Sequence, residues 1–216
     1  MPSLADEIAA TAARLVVDED LDYASAKRKA LRALGRQNAR SAELPSNEQV
    51  EDEVREYLAL FCADTQPAEL RTLRELALPW MARLAEFRPH LAGAVWRGTA
   101  TRRSAIVLDL YCDDTKSTEI ALINLGIDYE VGSRPDGHGG GIDVLSVAQR
   151  SRELGDWVTV HLVIHDHDDL RGALKPDARG RSWRGDTAAL RRLLATPDAE
   201  PAHPDPTGPT PAHPAP

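Results

Sequence analysis

The chain has 216 residues, with 26 Lys and Arg against 34 Asp and Glu and a formal net charge of −8 when His is neutral. At 42% hydrophobic and 28% charged it falls among globular chains that bury a core, long enough for one domain with an appendage or for two small ones. The acidic balance argues against nucleic-acid binding through bulk charge, and no apolar run approaches the roughly 20 residues that cross a bilayer. The stretch from Met1 to Ala10 carries acids and no apolar signal core, which points to the cytoplasm. Cys62 and Cys112 lie far apart outside any metal-spacing motif and read as reduced core residues.

Residues 1–88 read as a helical bundle. Ser3 can cap a helix to about Val17, with Asp6 and Glu7 complementing its dipole. A second runs from near Asp22 to Gly35, with Ala26, Ala30, Leu31 and Leu34 on its apolar stripe. Ser46 and Gln49 have capping-box spacing, and Val50, Val54, Tyr57, Leu58 and Phe61 follow at helical intervals. A fourth helix begins around Pro67, carries Leu70, Leu73, Leu76 and Leu84, and is expected to kink or divide at Pro79.

Residues 89–196 read as a mixed β-sheet domain, so the fold class expected is α+β. Strands are predicted from Ala94 to Arg97, Ile106 to Cys112, Tyr129 to Ser133, Asp143 to Val147 and Trp157 to His165. A helix is expected from Thr115 to Leu125, closed by Gly126, and a last one capped by Asp186. The Gly137 to Gly141 run reads as a flexible hairpin loop in which His138 can contact a ligand; no helix follows it, so it is not a dinucleotide fingerprint. Residues 197–216 are Pro-dominated, repeat Pro-Ala-His-Pro, and read as a disordered tail.

A helix, a strand, a Gly-containing turn and an apolar strand also open the nucleotidyltransferase superfamily. The segment Ala94-Val95-Trp96-Arg97-Gly98-Thr99, followed by Ser104-Ala105-Ile106-Val107-Leu108, resembles that unit. In the family a Gly-Ser pair ends the first strand and a Ser-Asp-Ile-Asp-Leu type sequence opens the second. The resemblance implies phosphate contacts at Gly98, Thr99 and Ser104, because a Gly lets backbone approach phosphate. It places the two magnesium-holding positions on Ala105 and Val107, which have no donor. Asp109 shares their strand face by period-two alternation and, with Asp113 at the strand's end, is the substitute pair for magnesium and catalysis if the chain is active. Asp114 and Lys116, at the following strand–helix junction, complete the expected nucleotide site. The resemblance therefore implies a nucleotide or nucleotide-bearing partner, with transfer activity lost or altered.

The whole chain also resembles short proteobacterial proteins labelled UDP-N-acetylmuramate–alanine ligase. Such ligases hold ATP with a Gly-x-x-Gly-Lys-Thr/Ser type loop, and no Gly here precedes a Lys, so the motifs do not support that activity. Two further readings stand beside these. His165, His167 and Asp169 have His-x-His-x-Asp spacing, which resembles the metallo-β-lactamase motif and suggests a metal-dependent hydrolase, although the His that follows the Asp in that family is Leu170 here. Alternatively the helices or the Pro-rich tail serve as a protein-interaction module. Lys27, Arg28, Lys29, Arg32, Arg36 and Arg40 form an acid-free run, which leaves nucleic acid open as a partner, but no aromatic residues interleave for base stacking.

Overall fold

A computed structural model of the protein describes residues 3–36, 43–135 and 140–196. The expected tail, His138 and most of its Gly-rich loop, and Arg40 lie outside the described residues. The described residues form an α+β fold of eight α-helices and one six-stranded mixed sheet.

Helices α1 (Leu4–Glu19), α2 (Tyr23–Ala33) and α3 (Asn47–Phe61) start where the sequence places their caps. Ser3 and Ser46 both complete capping boxes, with Asp6 and Gln49 returning the bond. Ile8, Ala12, Ala26, Ala30, Val50 and Val54 form their shared core, each fully buried. Small residues at these crossings let the helices approach closely. Leu34 and Phe61, expected on the apolar stripes, are instead 36% and 70% exposed at the helix ends, where the Phe61 ring meets that of Tyr57 with centroids 4.6 Å apart.

Helix α4 (Gln66–Arg83) runs unbroken through Pro79 rather than dividing there. Burial of Ala77, Trp80 and Met81 around the proline outweighs the ~3 kcal/mol that an interior proline costs. Read with the helical half in the sequence, α4 packs its Leu70, Leu73, Trp80 and Met81 into the core of the sheet.

The sheet comprises β1 (His90–Ala92), β2 (Ile106–Tyr111), β3 (Glu130–Pro135), β4 (Gly141–Arg150), β5 (Trp157–His165) and β6 (Arg184–Gly185), in the order β3-β4-β5-β2-β1-β6. β2 and β5 are parallel and every other pair is antiparallel. The segment from Gly93 to Arg97 is helix α5, not the strand expected over Ala94 to Arg97. The first strand is β1, three residues long, and Gly93 (φ +65°) turns it into α5. The remaining helices are α6 (Thr115–Asn124), α7 (Leu170–Ala173) and α8 (Thr187–Ala195), the last capped by Asp186 as expected.

Period-two alternation gives the sheet two different faces. Leu91, Leu108, Leu110, Leu145, Leu162 and Ile164 point to α4, Leu122 of α6 and Leu190 of α8, forming the larger core. The strand registers put His90, Asp109, Tyr111, Ser146, His161 and His165 on the opposite face. No described helix is long and apolar enough to cross a membrane, and both cysteines are free thiols.

Candidate functional site

On that second face Asp109 is the centre of a polar cluster. It is 2% exposed, near the middle of β2, and a buried carboxylate is stable only when its oxygens accept bonds. Oδ2 pairs with Arg184 Nη1 at 2.8 Å and Oδ1 lies 3.1 Å from His165 Nε2. A carboxylate oxygen only accepts, so Nε2 of His165 donates. Arg184 Nη1 also donates to the Tyr111 hydroxyl. The Tyr111 ring stacks on His165 (centroids 5.3 Å apart, 21° between planes) and meets His90 edge-on at 5.5 Å and 89°. His90 Nδ1 donates to the Arg88 carbonyl at 2.8 Å, which fixes that ring. Burial holds the Tyr111 phenol above its usual range, against the pull of Arg184. Arg184 Nε is buried and has no hydrogen-bond partner among the described residues.

The elements explain this convergence. Asp109 and Tyr111 alternate on one face of β2; His90 is Asp109's partner across β1; His165 is Tyr111's partner across β5. Arg184 stands opposite Ala92, on the edge strand beyond β1. Farther along the same face, His161 Nδ1 lies 2.9 Å from Ser146 Oγ. Burial first, and then the Arg134 charge, push the His161 pKa down, so this ring is neutral near pH 7.

Gly98 and Thr99 lie in a second polar network, which ties α3 and α4 to α5. Glu51 (1% exposed) receives Arg97 Nε at 2.9 Å and Nη2 at 2.8 Å, and Arg97 Nη2 also reaches Asp177 at 3.0 Å. The Arg97 guanidinium lies 4.5 Å from the Trp183 ring centroid. The end of α5 exposes carbonyls without helical partners. Arg74 donates to the carbonyls of Val95 and Trp96, Arg55 to that of Arg97, and Gln66 to those of Gly98 and Ala100. Gly98 (φ +83°) is the left-handed end of α5, and the Thr99 amide bonds back to Ala94. Burial first, and then the nearby Arg55 charge, push the Arg74 pKa down to about 10.

Among the described residues, the hydrogen bonds of Ser104 and Asp114 are local and join neither group. Ser104 Oγ accepts from the Thr101 amide in the turn before β2. Asp113 and Asp114 are exposed after β2, and Asp114 caps α6 by accepting from the Lys116 amide. His165 is turned to Asp109, while Asp169 lies exposed in the 3₁₀ turn that also holds His167. Part of the basic run is engaged in structure: Lys27 bonds Pro45 and Asn47, and Lys29 pairs with Glu19.

The residues do not fit a magnesium ion. Ala105 and Val107 offer no ligand atoms, and both Asp109 oxygens are already engaged by cationic or N–H donors. Among the described residues no group of three or more His, Cys, Asp and Glu side chains is arranged to hold a metal. The sequence points to Asp109 and His165 through separate motifs. Tyr111 was within reach, because it lies two residues along from Asp109; His90 and the pairing with Arg184 required the strand order. No family model matches the chain, and no curated protein is significantly similar to it.

Proposed function

We propose that the chain is a nucleotidyltransferase-like protein that binds a nucleotide, or a nucleotide-bearing molecule, on the polar face of its sheet without performing metal-dependent transfer. The order α4-β1-α5-β2-α6, with β1 antiparallel to β2 and a later strand parallel to β2, supports the fold reading. Gly93 and Ala94 are the residues that leave the first strand, and on this reading they take the part of the family's Gly-Ser pair beside Gly98 and Thr99 at the other end of α5. Gly93 is exposed, and a Cβ placed on it would meet Val107 at 3.5 Å. It therefore stands beside the strand position where the family carries an acid.

The observation that carries the loss of transfer chemistry is the engagement of Asp109. Arg184 and His165 supply internal positive and N–H partners for a carboxylate that would otherwise need a cation. The same two side chains, 20% and 12% exposed, are the cationic and N–H groups that an anionic phosphate on this face would meet. The test is thermal unfolding of the full chain with each nucleoside triphosphate, in EDTA and in magnesium. A ligand at a hundred times its dissociation constant stabilises by about 2.7 kcal/mol, and that shift is expected in EDTA as well as in magnesium. A shift that requires magnesium, accompanied by turnover, refutes the loss of transfer chemistry. No shift with any nucleotide refutes nucleotide binding.

A further inference from the structure

We infer that β3 is a self-pairing edge, joining two copies of this chain antiparallel about a two-fold axis through Gly132. β3 is the outermost strand of the sheet, and Glu130, Val131, Gly132, Ser133 and Arg134 are all exposed. An edge strand presents a row of backbone donors and acceptors to any strand that can match it. A strand matches itself about a two-fold axis only if its side chains are self-complementary, and this one is.

With Gly132 opposite Gly132 of the second copy, Glu130 falls opposite Arg134 and Arg134 opposite Glu130, two identical pairs of opposite charge on the polar face. Directly opposed charges of unlike sign stabilise an antiparallel pair, and like charges destabilise it. Val131 falls opposite Ser133, so no like charges meet anywhere in the pairing. On the axis itself neither copy has a side chain, and a glycine inside a strand often marks close approach of another backbone. Val131 is 66% exposed and pairs with the buried Leu145, so it projects on the helical side of the sheet. Ile120 and Ile123 of α6, on the same helical side of the sheet, are also exposed, at 56% and 62%. The second copy leaves the polar face around Asp109 open, three strands away from β3.

The test is the molar mass of the full chain by light scattering across a dilution series, with three variants checked for fold by circular dichroism. Wild type is expected to be a dimer. Glu130→Arg sets two Arg–Arg pairs across the axis and Arg134→Glu sets two Glu–Glu pairs, and each is expected to weaken the dimer about tenfold or more. The double variant Glu130→Arg/Arg134→Glu restores both pairs with their signs exchanged and is expected to dimerise like wild type. A monomeric wild type, dimers unaffected by either single change, or a folded double variant that stays monomeric would each overturn the pairing. If a single variant does not fold, Gly132→Cys in a Cys62→Ser/Cys112→Ser background decides instead. Two-fold pairing brings the two Cα atoms at position 132 to about 4.5–5.5 Å, within disulfide reach, so mild oxidation yields a covalent dimer; a monomer-only product overturns the proposal.

Discussion

Replacing Arg97 by Met removes the hub of the network joining α3 to α5 while keeping a long apolar side chain. The guanidinium is 3% exposed and its partners Glu51 and Asp177 are buried, so the change strands two carboxylates rather than exposing them to water. Breaking a buried pair from one side costs about 3–5 kcal/mol. Arg55 still reaches Glu51 at 3.0 Å, and Arg181 still holds Asp177 at 3.1 Å, which puts the ionic loss near the lower figure. The lost contact with Trp183 adds about 0.5–1 kcal/mol. A total of about 3–4 kcal/mol corresponds to a fall in Tm of about 10 °C for a chain of this size. Thermal and urea unfolding, followed together by circular dichroism and tryptophan fluorescence, measure it. Adding Glu51→Gln to Arg97→Met removes one stranded charge, so the double variant is expected to be more stable than the single one. A single variant within about 1 kcal/mol of wild type, or strictly additive losses, would refute the reasoning.

Other expectations follow from individual contacts. At Gly185 an added Cβ would lie 2.0 Å from the Trp96 indole, so Gly185→Ala should cost at least the roughly 1–3 kcal/mol of overpacking, read as a lower urea midpoint; an unchanged midpoint contradicts the contact. Ser46→Ala removes the 3.1 Å bond to the Gln49 amide and should cost about 1 kcal/mol, with Ser46→Asp retaining most of it. Burial raises the Asp177 pKa, but bonds from the Arg181 amide, the Arg97 guanidinium and the Arg179 amide outweigh it and hold the carboxyl at about 2, against the ordinary 3.8. A depressed carboxyl stabilises the fold above its unfolded value, so about 2 kcal/mol should be lost as pH falls from about 4 to about 2, and Asp177→Asn should flatten that limb. His161 is likewise depressed, by burial foremost, so its contribution is present above the ordinary 6.5 and is lost as pH falls below it; His161→Gln should remove that part of the stability profile.

What the sequence makes legible is local. The capping boxes at Ser3 and Ser46, the Asp186 cap and the apolar runs of β2 and β5 need only near neighbours, and they appear where expected. The segment from Gly93 to Arg97 shows the limit. Val95 and Trp96 carry strand propensity, yet α5 forms because Arg55, Arg74 and Gln66, from two other helices, take its terminal carbonyls. Pro79 sits inside α4 for a similar reason, since packing against the sheet core overrides a local preference. At the candidate site, alternation alone puts Asp109 and Tyr111 on one face. Their partners His165 and Arg184 are 56 and 73 residues away in sequence from Asp109 and Tyr111 respectively, and arrive through a parallel β2–β5 pair and an edge strand that only tertiary structure specifies. The Glu51–Arg97 pair spans 46 residues in the same way.

The most direct test of the central claim is an amide chemical-shift map of the isotopically labelled full chain, titrated with a nucleoside triphosphate in EDTA. Nucleotide binding on the polar face predicts saturable shifts concentrated at His90, Gly93, Tyr111, His165 and Arg184, abolished by Arg184→Met and unchanged by added magnesium. Shifts centred elsewhere, shifts that appear only with magnesium, or a spectrum that does not move with any nucleotide would contradict it.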